Sequence, residues 1–297
     1  MHCAILYGGS GGEREVSLAS GKRVIAALRS LSHTVLAIDY DGKLLDEPSL
    51  TKLAAADAVL LVLHGDKGEN GSLQKELEGA RIFHFFGSKS AACALAMDKA
   101  NAKRVVETAG IPVASGALWQ CGEPLPPLRL PLVVKPCCGG SSVGLRIVRE
   151  ACELDGFSPL EPMLCEAYLP GREYSVGVLL DGVLPVVEIL PRGGVYDYTA
   201  KYTVDGAEEI CPAPLSPGKT AALQEMALRA FRALGLRDMA RMDFKEDAHG
   251  TPHFLEANTL PGLTKTSLFP REAAAAGLSF AALCEKMVSV AAKRKKV

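Results

Sequence analysis

Runs of apolar residues with two different periods divide the chain into elements. Cys3 to Tyr7 is a short unbroken apolar run, as expected of a buried strand, and Gly8 to Gly12 is a glycine-rich turn. From Glu13 onward Val16, Leu18, Val24, Ile25 and Leu28 recur at helical spacing, which predicts a strand–loop–helix unit. Two further apolar runs, Thr34 to Asp39 and Ala58 to Leu63, leave room for crossover segments, so the first third predicts a small open parallel sheet. After Phe86-Gly87 the chain turns alanine-rich and helical, and a proline-rich stretch from Pro124 to Pro131 precedes a strand at Leu132 to Lys135. With Gly144 to Val148 and Met163 to Glu166 this strand predicts a compact antiparallel lobe with little helix. The last third reads as strands at Glu173 to Leu180, Val183 to Leu190, Met239 to Lys245 and Pro252 to Ala257. A polar loop from Pro191 to Pro217 and a helix from Lys219 to Leu234 lie between the second and third of them. The division expected is residues 1–89, 90–172 and 173–297, a mixture of α/β and α+β lobes with an open parallel sheet in the first.

A chain of 297 residues has room for a cleft between such lobes. Its 33 Lys plus Arg against 34 Asp plus Glu give a net charge of -1, which offers no field to attract nucleic acid or an anionic membrane and makes a small molecule the expected partner. Nine cysteines, an odd number with no CxxC pair, point to reduced thiols in a cytoplasmic protein. No apolar run approaches the roughly 20 residues of a membrane span, and with MHCAILYGG running straight into strand pattern no charged leader is expected.

Chemistry is concentrated in a few segments. RMDF at 241–244 and FLEANTLPG at 254–262 both read as strands, where alternate side chains share a face, so Arg241 with Asp243 and Glu256 with Asn258 point into one site. Two carboxylates and an amide oxygen are hard ligands suited to magnesium held against phosphate oxygens. A solvated strand face is the bland alternative, but acidic residues inside two apolar strands need compensation. LVVKPCCGGSSVG at 132–144 closes a strand with Lys135 and continues into glycines and serines whose backbone N–H groups can wrap phosphate, unless it is merely a glycine-rich hairpin. The opening GGSGGEREVS places N–H groups at a helix start, which favours an anion. Arg14 stands where the last glycine of GxGxxG would be, so a dinucleotide site is disfavoured. Pro217-Gly218-Lys219-Thr220 ends like a P-loop, but Ala213 replaces its first glycine, and it is read as a helix start. In HGDKGENG, His64 is expected to be structural, whereas Glu69 follows a parallel strand, where open sheets bind ligands. Cys137 and Cys138 lack an evident base and are read as ordinary loop thiols.

Taken in order, GGSGGEREVSL, HGDKGENG, Met97-Asp98-Lys99, VVKPCCGGSSVG, EAYLPGREYSV, YDYTAKY, RMDF and EANTLPGLTKTSL resemble the D-alanine:D-alanine ligase family of the ATP-grasp superfamily along nearly the whole chain. The resemblance implies a three-lobe ATP-grasp architecture, ATP between the second and third lobes, and two D-alanine molecules near the first. In that family the lysines matching Lys99 and Lys135 touch ATP, the residues matching Glu166, Leu169 and Glu173 hold adenine and ribose, and those matching Asp243, Glu256 and Asn258 bind two magnesium (or manganese) ions. Glu13 matches the carboxylate that receives the first D-alanine's ammonium group, and Ser141 and Tyr202 match residues hydrogen-bonded to it. Arg241 and the Gly262 N–H match the oxyanion stabilisers, and Ser267 with Leu268 matches the site for the second carboxylate. The implied reaction is ligation through an acyl phosphate under a lid at Pro191 to Cys211, supplying peptidoglycan synthesis, in a cytoplasmic homodimer.

The chain departs from the family pattern in three places. Cys138 and Gly139 stand where a basic and an acidic residue usually precede GSSVG, Glu150 to Pro162 is short enough to lack a family helix, and Thr266 replaces a frequent histidine. These departures keep two rivals in view: a ligase taking D-lactate or D-serine second, against which Lys201-Tyr202 argues, and an ATP-binding regulatory module without turnover. The intact Glu13, Arg241, Asp243, Glu256 and Asn258 oppose the module.

Overall fold

The structure is a computed structural model that describes residues 1–192 and 206–295. The first lobe is a parallel sheet of β1 (His2–Gly8), β2 (Thr34–Tyr40), β3 (Ala58–Val62) and β4 (Phe85–Phe86) in the order β2-β1-β3-β4. Every residue of β3 is buried, as expected of a parallel strand covered on both faces. Helix α1 (Arg14–Ser30) lies on β1 through Val24, Ile25 and Leu28, and it comes so close that a Cβ on Gly21 would stand 2.5 Å from the Tyr7 ring. Helices α2 (Glu47–Ala55), α3 (Asp66–Glu69) and α4 (Ser72–Gly79) complete this lobe's connections. Asp46 caps α2 by accepting the Ser49 N–H at 2.9 Å.

The second sheet is antiparallel, β5 (Gly116–Trp119), β6 (Leu132–Pro136), β7 (Arg146–Val148) and β8 (Met163–Ala167), in the order β5-β8-β6-β7. Between β7 and β8 the backbone forms one 3-10 turn, Ala151–Leu154, and no longer helix, as the short spacing there implied.

The third sheet carries β9 (Glu173–Leu179), β10 (Gly182–Val183), β11 (Val187–Pro191), β12 (Ala207–Ile210), β13 (Met239–Glu246) and β14 (Pro252–Asn258), with main order β12-β11-β9-β13-β14. Two expectations are corrected here. Val183 to Leu190 is not one strand, because the ladder breaks before Val187 at Pro185, which has no N–H to donate. The segment Pro191 to Pro217 is not wholly loop, because Ala207–Ile210 pairs with β11. Helix α7 (Pro217–Ala233) starts at the GKT segment, with Ser216 accepting the Lys219 N–H at 3.3 Å, so that segment is a helix start.

The cores do not follow the expected division of the chain. Helices α5 (Ser90–Met97) and α6 (Lys99–Thr108), assigned by sequence to the middle lobe, contribute Ala96, Ala102 and Val106 to the core under β9, β13 and β14. The helices α8 (Leu268–Ala275) and α9 (Phe280–Lys293), assigned to the last lobe, place Phe269, Ala273, Leu283, Met287 and Val288 in the core of the first sheet. The middle lobe is left with a small core around Trp119, Leu132, Val134 and Met163. Sequence periodicity identified which residues are apolar but not which neighbouring sheet they cover.

Asp238 fastens the first and third sheets together. It accepts the Gly87 N–H at 2.8 Å and a pair of hydrogen bonds from the Arg294 guanidinium, while Arg237 donates to the Gly87 and Phe85 carbonyls.

Candidate active site

The face of the third sheet carries the polar residues in register. Arg241 lies opposite Gly177 on β9 and Asn258 on β14, and Asp243 lies opposite Ser175 and Glu256, so all of them project to one side. Asp243 is the centre. Arg241 clamps it through Nε at 2.9 Å and Nη2 at 2.8 Å, Ser175 donates to it at 2.8 Å and Asn258 at 3.0 Å. Lys99 stands 3.6 Å from Glu256 and donates to the Gly139 carbonyl at 2.5 Å. Its placement follows from the MDK segment, in which Asp98 caps α6 by accepting the Asn101 N–H and so presents Lys99 as the first helical residue.

Facing this surface is the loop after β6. Ser141 and Ser142 adopt left-handed backbone angles, φ 53 and 57, consecutively, a conformation costly for residues other than glycine that persists only where surrounding structure enforces it. The loop turns Ser141 Oγ toward the first lobe, where it donates to Glu13 Oε1 at 2.5 Å.

Two clefts result. The first, between the second and third sheets, is walled by Val133, Leu145, Ile147, Leu169 and Leu255 and carries Lys99, Lys135, Glu166, Glu173, Asp243, Lys245 and Glu256. The second lies between the first lobe and the third sheet and is lined by Glu13, His64, Glu69, Ser141, Arg241, Asn258, Gly262, Ser267 and Leu268. They adjoin at Gly139 and Gly140, with Glu256 and Asn258 on the opposite wall.

Several groups are tuned by burial and neighbours. Glu166 accepts from both Lys103 and Lys135, and although burial opposes its charge, the two ammonium groups hold its carboxyl down at about 2. Burial, then the nearby Glu13 charge, pushes Glu69 up to about 7, and its two oxygens accept the Leu260 and Gly65 N–H groups at 2.9 and 2.8 Å. His64 bridges Ser20 at 3.0 Å and the Leu260 carbonyl at 2.9 Å, and burial lowers its pKa, so it serves as a neutral structural link, as expected. Ser267 Oγ accepts the Thr264 N–H at 3.0 Å, and a Cβ on Gly262 would approach that oxygen to 2.6 Å. Burial raises both loop thiols, Cys137 to about 11, which keeps them protonated and unreactive near neutral pH.

All the residues given a binding or catalytic role from the sequence, except Tyr202, line one or other cleft. Tyr202, with the rest of YDYTAKY, lies outside the described residues. The carboxylates of Glu166 and Glu173 are engaged by lysines, the latter by Lys245 at 2.9 Å. Sequence reasoning missed Lys103, Ser175, Lys245 and Glu272. Lys103 had a local signal, since it lies four residues after Lys99 and so on the same helical face, and Ser175 and Lys245 had one by strand alternation with Glu173 and Asp243.

The D-ala D-ala ligase C-terminus family model matches residues 120–289, more than half of the chain. The chain belongs to the D-alanine–D-alanine ligase family. It is 41% identical over 308 residues to the D-alanine–D-alanine ligase of Gloeobacter violaceus, covering 97% of this chain and 98% of that one. Among solved structures it is similar to a D-alanine–D-alanine ligase from Bacillus anthracis complexed with ATP, at TM-score 0.84 and 28% identity, covering 100% of this chain and 98% of that one. It is also similar to the VanG D-Ala:D-Ser ligase from Enterococcus faecalis, at TM-score 0.82 and 28% identity, covering 98% and 99% of the two chains. The architecture of three sheets flanked by helices is accordingly the ATP-grasp fold of D-alanine–D-alanine ligases.

The donors on β13 and β14 suit magnesium or manganese. Asp243 and Glu256 are paired across the ladder with Asn258 beside them, all oxygen donors on one face. Among the described residues no three His, Cys, Asp or Glu side chains close into a cage. Two carboxylates that leave the remaining positions to phosphate and water match the way magnesium is held in nucleotide enzymes.

Proposed function

We propose that this chain joins two D-alanine molecules to D-alanyl-D-alanine with ATP through an acyl phosphate, feeding peptidoglycan precursor synthesis in the cytoplasm, as a homodimer. The observation that carries the reading is the meeting of the two clefts at Gly139, Gly140, Glu256 and Asn258, which brings a nucleotide's terminal phosphate beside an amino-acid carboxylate. The nucleotide occupies the first cleft, its base between Val133, Ile147, Leu169 and Leu255 and its phosphates under the loop after β6. Glu13, steadied by Ser141, receives the first D-alanine's ammonium group, which aims the carboxylate at the phosphates. Lys99 and Lys135 offset charge building on the transferred phosphoryl group. Bound at Asp243, Glu256 and Asn258, two magnesium ions would add positive charge at the phosphate oxygens. The second D-alanine is held by Ser267 and the start of α8 at Leu268, and its amine attacks the activated carbonyl. The tetrahedral oxyanion that forms is met by Arg241 and the Gly262 N–H, worth about 3 to 4 kcal/mol of barrier, and collapses with cleavage of the bond to phosphate, which leaves as inorganic phosphate while the nitrogen loses its proton to give the amide. Acyl phosphates hydrolyse in water, so the intermediate must be shielded until the second D-alanine's amine attacks it.

The likeness to a D-Ala:D-Ser ligase makes D-serine the acceptor to test beside D-alanine. The experiment is ADP release with ATP and magnesium in the presence of D-alanine, L-alanine, D-serine or D-lactate, with products weighed by mass spectrometry. One D-alanyl-D-alanine per ADP is expected. Nucleotide binding without product from any mixture would replace the ligase reading with a regulatory module.

A further inference from the structure

Lys103 does not line the nucleotide cleft. It stands behind it, one helical turn after Lys99 on α6, and reaches Glu166 Oε2 while Lys135 takes Oε1. All three side chains are buried, so the arrangement is a carboxylate shared by two ammonium groups in the wall of the cleft. A buried carboxylate needs one cation, and the second carries a desolvation cost that Glu166 alone does not offset. The excess has a location: Lys135 and Glu166 line the cleft, whereas Lys103 does not. Burial and the repulsion of Lys135 ease the proton from Lys103 toward about 8, while attraction to Glu166 and, more weakly, Glu256 opposes the loss.

We propose that Lys103 is a positioning residue for the nucleotide: as the standing counter-ion of Glu166, it frees Lys135 to transfer its charge to ATP. The inference rests on the first cleft being the nucleotide site. If Glu166 had Lys135 as its sole partner, drawing that lysine to a phosphate oxygen would strand a buried carboxylate, so the pair would stay closed and ATP would lose a cation. With Lys103 in place Glu166 keeps a partner whether Lys135 faces the carboxylate or the nucleotide.

The test is Lys103→Met, which keeps the length of the side chain and removes its charge, alongside Lys103→Arg and the double variant Lys103→Met/Glu166→Gln. Nucleotide Kd by calorimetry and the KM for ATP and for D-alanine are measured with the full chain. The expected result for Lys103→Met is ATP binding weaker by roughly tenfold or more, about 1.4 kcal/mol, with the D-alanine KM unchanged. Lys103→Arg restores most of the affinity. The double variant, in which Lys135 has no carboxylate to hold it, binds ATP more tightly than Lys103→Met. A brace with no part in binding would give losses of the same size in both KM values, or stability loss without any change in affinity, and either overturns the proposal. If Lys103→Met does not fold, the double variant and Lys103→Arg decide, and weak binding in both overturns it. Failure of the wild-type chain to bind ATP is a different result, because it removes the nucleotide reading itself.

Discussion

Glu272 on α8 is fully buried, and neither carboxyl oxygen has a hydrogen-bond partner. The carboxyl fills the place of the side chain that Gly177 lacks, since a Cβ there would stand 2.3 Å from Oε2, and the Gly177 amide faces it without completing a hydrogen bond. Burial, the largest influence, raises its pKa from 4.5 to about 8. Arg241 opposes the rise and Asp243 adds to it. The folded carboxyl therefore keeps its proton at neutral pH while the unfolded one has released it. Because the folded pKa lies above the unfolded value, stability is lost as pH rises from about 4.5 to 8 and levels off above that. At 1.36 kcal/mol per pH unit the loss has a ceiling of about 5 kcal/mol, and relaxation or water entry brings it toward about 2 to 3. Glu272→Gln has the same shape and no proton to lose. Urea unfolding of both proteins at about pH 5, 6.5 and 8 should give near-equal stability at the lowest pH and a growing advantage for the variant above it. A difference independent of pH would mean that Glu272 ionises as readily in the fold as in the unfolded chain, and a variant less stable at pH 8 would mean that its charge is stabilised there, with Arg241 as the cation that favours it.

Other expectations concern the site and the fold. Glu256→Gln removes a charge directed at the metal, so turnover should fall at least about tenfold and the magnesium requirement should rise. Wild-type kcat and magnesium dependence would defeat the assignment. Cys137→Ala and Cys138→Ala should each keep kcat within about twofold, because burial holds both thiols protonated and neither is given a step. Abolition of turnover in a variant that still folds would show that a thiol takes part. Asp238→Ala leaves the Gly87 N–H without its acceptor and Arg294 with the Phe85 carbonyl but no counter-charge, and should cost about 3 to 5 kcal/mol. An unchanged urea midpoint would mean that the two sheets are held by other contacts.

Strands β1, β2, β3, β6, β7, β8, β9, β13 and β14 were legible in the sequence because each is an apolar run bounded by glycine or a polar turn, α1 by its helical period, and β13 and β14 disclosed their polar face by alternation, whereas β4, β5 and β12 are too short or too polar to stand out. What one sheet position lends another was not legible. Glu272 reads as one polar residue in an alanine-rich helix, and only the missing side chain of Gly177, far away in sequence, makes room for it. Lys103 had helical spacing to Lys99, but its partner Glu166 belongs to a different sheet. Pro185 was visible and was passed over, since the apolar run continues across it. The allocation of α5, α6, α8 and α9 to particular cores depends on the path of the chain through space, and amphipathicity carries no record of that.

The covering of β3 by α9 has a consequence for how the protein is made. Residues 58–62 leave the ribosome long before residues 280–293, yet the first sheet depends on Leu283, Met287 and Val288 to close its core. The nascent first sheet must therefore wait with an apolar face uncovered while the other two sheets are synthesised, and it is the part of the chain most in need of protection from self-association. Its core closes only once α9 has been made, so the cleft that Glu13 shares with Ser141 is completed late in synthesis.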